Sequence, residues 1–179
     1  SRVLRAEGRG GLPDLMALLD LVALATVCDV VPLIGLNRAF VLRGLETLRK
    51  GANEGLAALS IAARGNGPVA PYHLGYLLGP RINAGGRIGD AALGARLLAM
   101  DDPYDALALA EQLDALNVER QRVERAAVEE AIAAADAEIG EGEGPPVLVT
   151  GSPAWHQGVV GLVAARLRER FDRPAFAFA

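Results

Sequence analysis

The sequence predicts an α/β chain that is helical for about its first 140 residues and opens a strand–helix–strand unit only at its end. Three observations predict this. Apolar residues recur at helical spacing between loops rich in Gly, Pro and Asn. One stretch from Pro103 to Ile139 runs without a helix breaker. After the Gly- and Pro-rich run Gly140 to Pro146, Val147 to Thr150 reads as a buried strand.

Element by element, residues 1–11 read as an irregular end. Pro13 opens a helix whose Leu15, Leu18, Leu19, Val22 and Thr26 share a face. Pro32 disfavours its continuation. Asn37 is expected to cap a second helix with Phe40, Val41, Leu45 and Leu48 on one face. Asn53 is expected to cap a third, with Leu56 and Leu59 inside. Gly65 to Pro68 is a loop, and Pro71 starts a short helix to Leu78. Gly79 to Asp90 is too rich in glycine to be regular and too rich in Arg and Asn to be a mere linker. Residues 91–100 form another helix. The stretch from Pro103 would extend about 55 Å at about 1.5 Å per residue, and suits a connector between two lobes. Glu119 to Glu130 on it is expected to be mostly solvated. After the strand comes a turn through Gly151 to His156, a helix from about Gly158 to Phe171, and a second strand after Pro174.

Composition excludes several classes of function. The chain has 179 residues, of which 51% are hydrophobic and 22% charged, a globular balance. Its longest apolar run, Leu15 to Val27, is broken by Asp20 and is too short to span a bilayer. The net charge of −4 rules out a generic basic nucleic-acid binder, so any such contact must come from local arginine clusters. Lys50 is the only lysine. Cys28 is the only cysteine, which excludes a disulfide framework and a cysteine-based zinc site. The chain begins at Ser1 and stops just after a strand, so both ends read as cut from something longer.

Three places could carry chemistry. Asp29 follows an apolar helix and precedes Val30, Val31 and Pro32. A carboxylate buried there must be paired, hydrogen-bonded or coordinated. Its ordinary role would be to bond backbone amides at a helix end. Arg81 and Arg87, with Asn83 and two glycines between, could clamp a phosphate, or could pair with acids such as Asp90. The turn with Trp155, His156 and Gly158 lies between a strand and a helix N-terminus, where anions bind. Trp155 could stack on a base or plug the core, and His156 could donate to a ligand or cap the helix. His73 reads as structural, and Asn117, Glu119, Arg120 and Arg122 as a solvated or inter-lobe polar face. A two-metal site needs clustered carboxylates and histidines. The two histidines are far apart, and no His-His, Asp-x-Asp, Walker or Gly-x-Ser-x-Gly pattern occurs.

Four stretches taken together resemble the RecJ-like exonucleases of the DHH phosphoesterase family. Asp20 to Leu33 is similar to the closing motif of the family's catalytic domain. Gly79 to Arg87 resembles its Pro-Arg-Ile-Asn-Ala signature, and Leu113 to Arg120 a polar stretch on its connecting helix. Trp155 to Gly161 resembles the opening of its second domain, DHHA1. The motifs occur in family order over nearly the whole chain. The resemblance implies residues 1–102 as the C-terminal part of a DHH domain, 103–140 as connector helix, and 141–179 as a truncated DHHA1 domain. It implies 5′→3′ degradation of single-stranded DNA in recombination and repair, with Mn²⁺ or Mg²⁺. Asp29 becomes a metal ligand by that match. Arg81, Asn83, Arg87, Trp155, His156 and Gly158 become nucleic-acid contacts, with Arg87 nearest the phosphate. The implied setting is a cytoplasmic monomer off the membrane, with recombination and single-strand-binding proteins as further partners. The Asp-His-His motif is absent, so the parent is expected to be active and this fragment inactive. A small-nucleotide phosphodiesterase of the same family and a DNA-binding relative without activity are the alternatives.

Overall fold

The computed structural model describes residues 3, 6–8, 11, 14–65 and 67–179. They fall into two compact units: Ser1–Gly79 with Leu98–Leu107, and Pro80–Leu97 with Ala108–Ala179.

The first unit is helical. Its elements are α1 (Leu19–Cys28), α2 (Gly35–Arg49), α3 (Glu54–Ala62) and a π-helical segment, His73–Leu78. The first helix starts later than the expected opening at Pro13, which lies outside the described residues. Leu15 and Leu18 are exposed in turns ahead of it, and its buried side is Leu19, Asp20, Ala23 and Leu24. Helices α1 and α2 touch through backbone. A methyl group on Gly44 would stand 2.1 Å from the Leu19 carbonyl oxygen and 2.4 Å from Ala23 Cβ. Glycine is required there by close approach, with Val41, Leu45 and Leu48 buried beside it.

Asn37 does not cap α2. The cap is Ile34, and the Asn37 amide instead donates to the Pro32 carbonyl at 3.2 Å, bracing the preceding turn from inside the helix. Asn53 does cap α3: its side-chain oxygen accepts from the Leu56 amide at 2.8 Å, and its Nδ2 donates to the Leu98 carbonyl at 3.0 Å.

Helix α1 ends in a Schellman motif. The Val31 amide donates to the Thr26 carbonyl and the Val30 amide to the Val27 carbonyl, both at 3.1 Å. The left-handed position of that motif normally holds glycine. Here it holds Val30, at φ +56°. A β-branched residue in that region is strained.

The expected irregular loop from Gly79 to Asp90 is instead helical over Gly79–Ile88, and Gly89 and Asp90 alone remain irregular. The backbone passes from the π-helical segment into α4 (Gly79–Ile88). Pro80 lacks the N–H that an α-helix would use, and a widened turn ahead of it accommodates the break in the ladder. Packing overrides the weak helix propensity of the glycines. Gly79 leaves room for Cys28, whose Sγ would lie 2.5 Å from an added methyl group. Gly85 sits equally close, at 2.6 Å, to the Asp90 carbonyl oxygen.

The second unit continues with α5 (Ala92–Leu98) and most of α6 (Pro103–Ile139), the unbroken 37-residue helix the sequence predicts. Strand β1 (Leu148–Gly151), α7 (Val160–Phe171) and β2 (Ala175–Phe178) complete it. The two strands pair in parallel, Leu148 opposite Ala175 and Gly151 opposite Phe178, so the expected βαβ unit forms. Its core is a meeting of two rows spaced by four residues: Ala127, Ala131 and Ala135 on α6, and Val159, Val163 and Leu167 along α7. Small residues on one row let the branched ones on the other approach closely. Each of those branched side chains is fully buried and contributes about 1.5–3 kcal/mol.

Candidate functional site

Asp29 lies at the C-terminal end of α1. It is exposed, and its backbone N–H donates to the Ala25 carbonyl at 2.9 Å. Its ordinary expected role, bonding backbone amides through the carboxylate, is not the one this geometry shows. The strained Val30 follows directly and is 86% exposed. Strain held at an exposed turn beside an exposed carboxylate is a pattern found at ligand sites. Asp29 also helps hold the Cys28 thiol protonated: burial, first, and the neighbouring carboxylate, second, push that thiol above its ordinary value of 9.0.

The burial argument made for Asp29 applies instead to Asp20. Asp20 is 2% exposed in the first turn of α1, and its carboxylate accepts from the Leu21 amide at 2.7 Å. Periodicity hid it, because an acidic residue in a first helical turn is ordinarily a solvated one. Among the described residues, no three His, Cys, Asp or Glu side chains come together to hold a metal ion. Asp29 is therefore part of a donor set at most, and does not by itself fit a two-metal centre.

Helix α4 separates the two arginines of the Arg81–Arg87 stretch. Arg81 turns inward, where its Nε donates to Asp114 Oδ1 at 2.8 Å as part of a largely buried ion pair. Pairing with an acid, one of the two roles the sequence allowed, thus describes Arg81, while Asp90 itself accepts from the Ala92 amide at the start of α5. Asn83 and Arg87 are four residues apart and share a helix face. Asn83 is exposed and Arg87 partly so.

Arg87 meets the turn ahead of α7. Its Nη1 donates to the Gly158 carbonyl at 3.2 Å. The backbones touch as well: a methyl group on Gly158 would lie 1.9 Å from the Arg87 carbonyl oxygen. Two motifs 71 residues apart thus form one knuckle. In the turn itself, His156 Nδ1 accepts from the Gly158 amide at 3.0 Å, which leaves Nε2 as the proton-bearing nitrogen of a neutral ring. His156 is exposed and does not cap α7, which begins after Val159 without a side-chain cap. Trp155 is 7% exposed, and its indole N–H donates to Glu130 at 2.8 Å. Of the two roles the sequence allowed, core plug describes this placement.

The polar face of α6 splits in two. Glu119 and Arg122 form an exposed pair that lowers the carboxyl and raises the guanidinium, chiefly through their hydrogen bond. Asn117, Arg120 and Glu124 are instead largely buried, Arg120 bonding both of the others, so this polar face carries ion pairs but is solvated only in part. His73 is structural as expected, its Nδ1 accepting from the Ala70 amide at 3.1 Å.

No protein-family model matches the chain. The single-stranded-DNA-specific exonuclease RecJ of Escherichia coli K12 is 44% identical over 171 residues, which are 94% of this chain and 30% of that protein. The crystal structure of RecJ with Mg²⁺ from Thermus thermophilus superposes with a TM-score of 0.84 at 35% identity, over 98% of this chain and 27% of that one. A crystal structure of exonuclease RecJ bound to manganese superposes with a TM-score of 0.84 at 37% identity, over 97% of this chain and 43% of that one. The chain thus spans about a third of the curated relative's length, and both the ordered motifs and the fold place it in one lineage: it belongs to the RecJ family.

Proposed function

We propose that the full-length protein is a metal-dependent exonuclease that hydrolyses single-stranded DNA from the 5′ end, in recombination and repair. The observation that carries the reading is the Arg87–Gly158 knuckle. It joins a guanidinium, the exposed Asn83 and the His156 turn within the second unit, in a chain whose overall charge is acidic. Such a local basic contact suits a phosphate backbone. The relatives are named for single-stranded-DNA-specific exonuclease activity, and two were solved with Mg²⁺ or manganese bound.

In this reading Asp29 is one ligand of the Mn²⁺ or Mg²⁺. The bound ions supply Lewis-acid stabilisation and an activated water. Arg87 and Asn83 contact the strand, and Arg81 positions α4 through Asp114. His156 Nε2 and the Gly158 turn add donors beside Arg87, and Trp155 supports that turn from below. Residues 1–102, 103–140 and 141–179 correspond to the end of a DHH domain, its connector and the start of a DHHA1 domain. The protein acts as a cytoplasmic monomer, with recombination and single-strand-binding proteins as partners. No described helix is long and apolar enough to cross a membrane.

The test is an assay on 5′-phosphorylated single-stranded DNA with Mn²⁺, using the full-length protein beside these 179 residues. Cleavage from the 5′ end by the full-length protein alone is expected. No cleavage by it sinks the exonuclease reading. Activity in the 179-residue chain shows that the catalytic donors are misplaced here.

A further inference from the structure

The geometry points to a nucleobase-stacking platform on the first unit, formed by Tyr72 and Tyr76. It rests on the reading that the protein takes single-stranded DNA, and it adds a base contact to the phosphate contacts assigned above.

The two rings lie stacked, with centroids 5.0 Å apart and planes 23° apart. Tyr72 is 61% exposed and Tyr76 71%. Tyr72 also takes the His73 ring edge-on, at 5.9 Å. A four-residue pairing of aromatics stabilises a helix by only about 0.2–0.5 kcal/mol, and beyond that pairing both rings stand open among the described residues. The sequence is poor in aromatics, with three tyrosines in all, and two of them make this pair.

The backing of the platform is rigid. Leu74 and Leu78 on the opposite side are buried, and the Leu74 carbonyl accepts from Cys28 Sγ at 3.5 Å. The backbone beneath is the π-helical segment, and such turns recur at functional sites. A rigid exposed aromatic face costs little ordering entropy when a base stacks on it. It is also tolerant of sequence, because every base has a π face.

The test measures binding of a single-stranded thymidine oligonucleotide carrying 2-aminopurine to the full-length protein, with chelator present so that nothing is cleaved. Tyr72→Ala and Tyr76→Ala are each expected to weaken binding roughly five- to a hundredfold. The slope of affinity against salt should stay unchanged, because stacking releases no counterions. Tyr76→Phe should bind within about twofold of the wild type, since it keeps the ring face. Wild-type affinity in the alanine variants overturns the platform, whether or not their melting temperature falls; a fall without loss of affinity identifies the face as one covered by the protein's own chain. Equal losses in Tyr76→Phe and Tyr76→Ala overturn it as well, by moving the effect to the hydroxyl. If the wild type binds no oligonucleotide, the nucleic-acid reading itself fails. If it binds and only the alanine variants are silent, the platform alone falls.

Discussion

At the scale of single residues, carboxylates and arginines of similar sequence context have been given different tasks by burial. Asp29 is exposed at a helix end, so its removal should leave the fold intact, within about 0.5 kcal/mol. Asp29→Ala in the full-length protein is expected to abolish metal-dependent cleavage with an unchanged melting temperature. Turnover at the wild-type level in that variant would sink the ligand assignment. Arg81 and Arg87 divide in the same way. Arg81 is committed to Asp114, whereas Arg87 is partly exposed beside Asn83. Arg87→Ala should weaken single-strand binding and flatten its logarithmic salt dependence by about 0.7. An unchanged slope would leave Arg87 as a structural clamp on Gly158. The exposed Glu119–Arg122 pair gives a contrasting pH expectation. Its carboxyl is lowered by the Arg122 hydrogen bond, so any stability it contributes is present above the ordinary value of 4.5 and is lost as pH falls below it. Because both groups are in water, Glu119→Gln should leave the acid limb of a pH–stability profile nearly superposed on that of the wild type. A clear shift of that limb would show the pair to be shielded.

At the scale of elements, the fold depends on backbone approaching backbone. Gly44 brings α1 against α2, and Gly158 brings the turn before α7 against the end of α4. A Cβ at either place must push the elements apart. Gly158→Ala is therefore expected to destabilise by about 1–3 kcal/mol, and to lower single-strand affinity along with Arg87→Ala. Thermal melts and binding on the same variant check both halves. If stability falls while affinity holds, the knuckle is structural only. The end of α1 runs the other way. Val30 occupies a left-handed position suited to glycine, so Val30→Gly should raise stability by about 1 kcal/mol. If it also lowers cleavage, the strained turn has a part in aiming Asp29. Helix α6 shows why polar residues in a long helix cannot be assigned a face from charge alone. Asn117 and Glu124 turn inward because Arg120 bonds both, while Glu119 and Arg122 one step around remain in water.

At the scale of the whole molecule, the sequence by itself determined the order of elements outside Gly79–Ile88, the 37-residue helix, the parallel βαβ unit and membership in the RecJ family. Those features are local: they follow from apolar periodicity, from Gly and Pro breaks, and from motifs that are contiguous in the chain. The Asn53 cap was legible for the same reason, being a three-residue relation. What only the tertiary structure decided is wherever a distant segment sets the local outcome. The stretch from Gly79 to Ile88 reads as a loop, yet it is helical, and close neighbours such as the Cys28 thiol and the Asp90 carbonyl leave no room for side chains at Gly79 and Gly85. The same holds for burial. Asp20 rather than Asp29 went inside, Trp155 filled a core by bonding Glu130, and Arg81 found Asp114 instead of Asp90. Propensity and pattern act over a few residues, whereas desolvation and ion pairing depend on which surfaces the fold closes together.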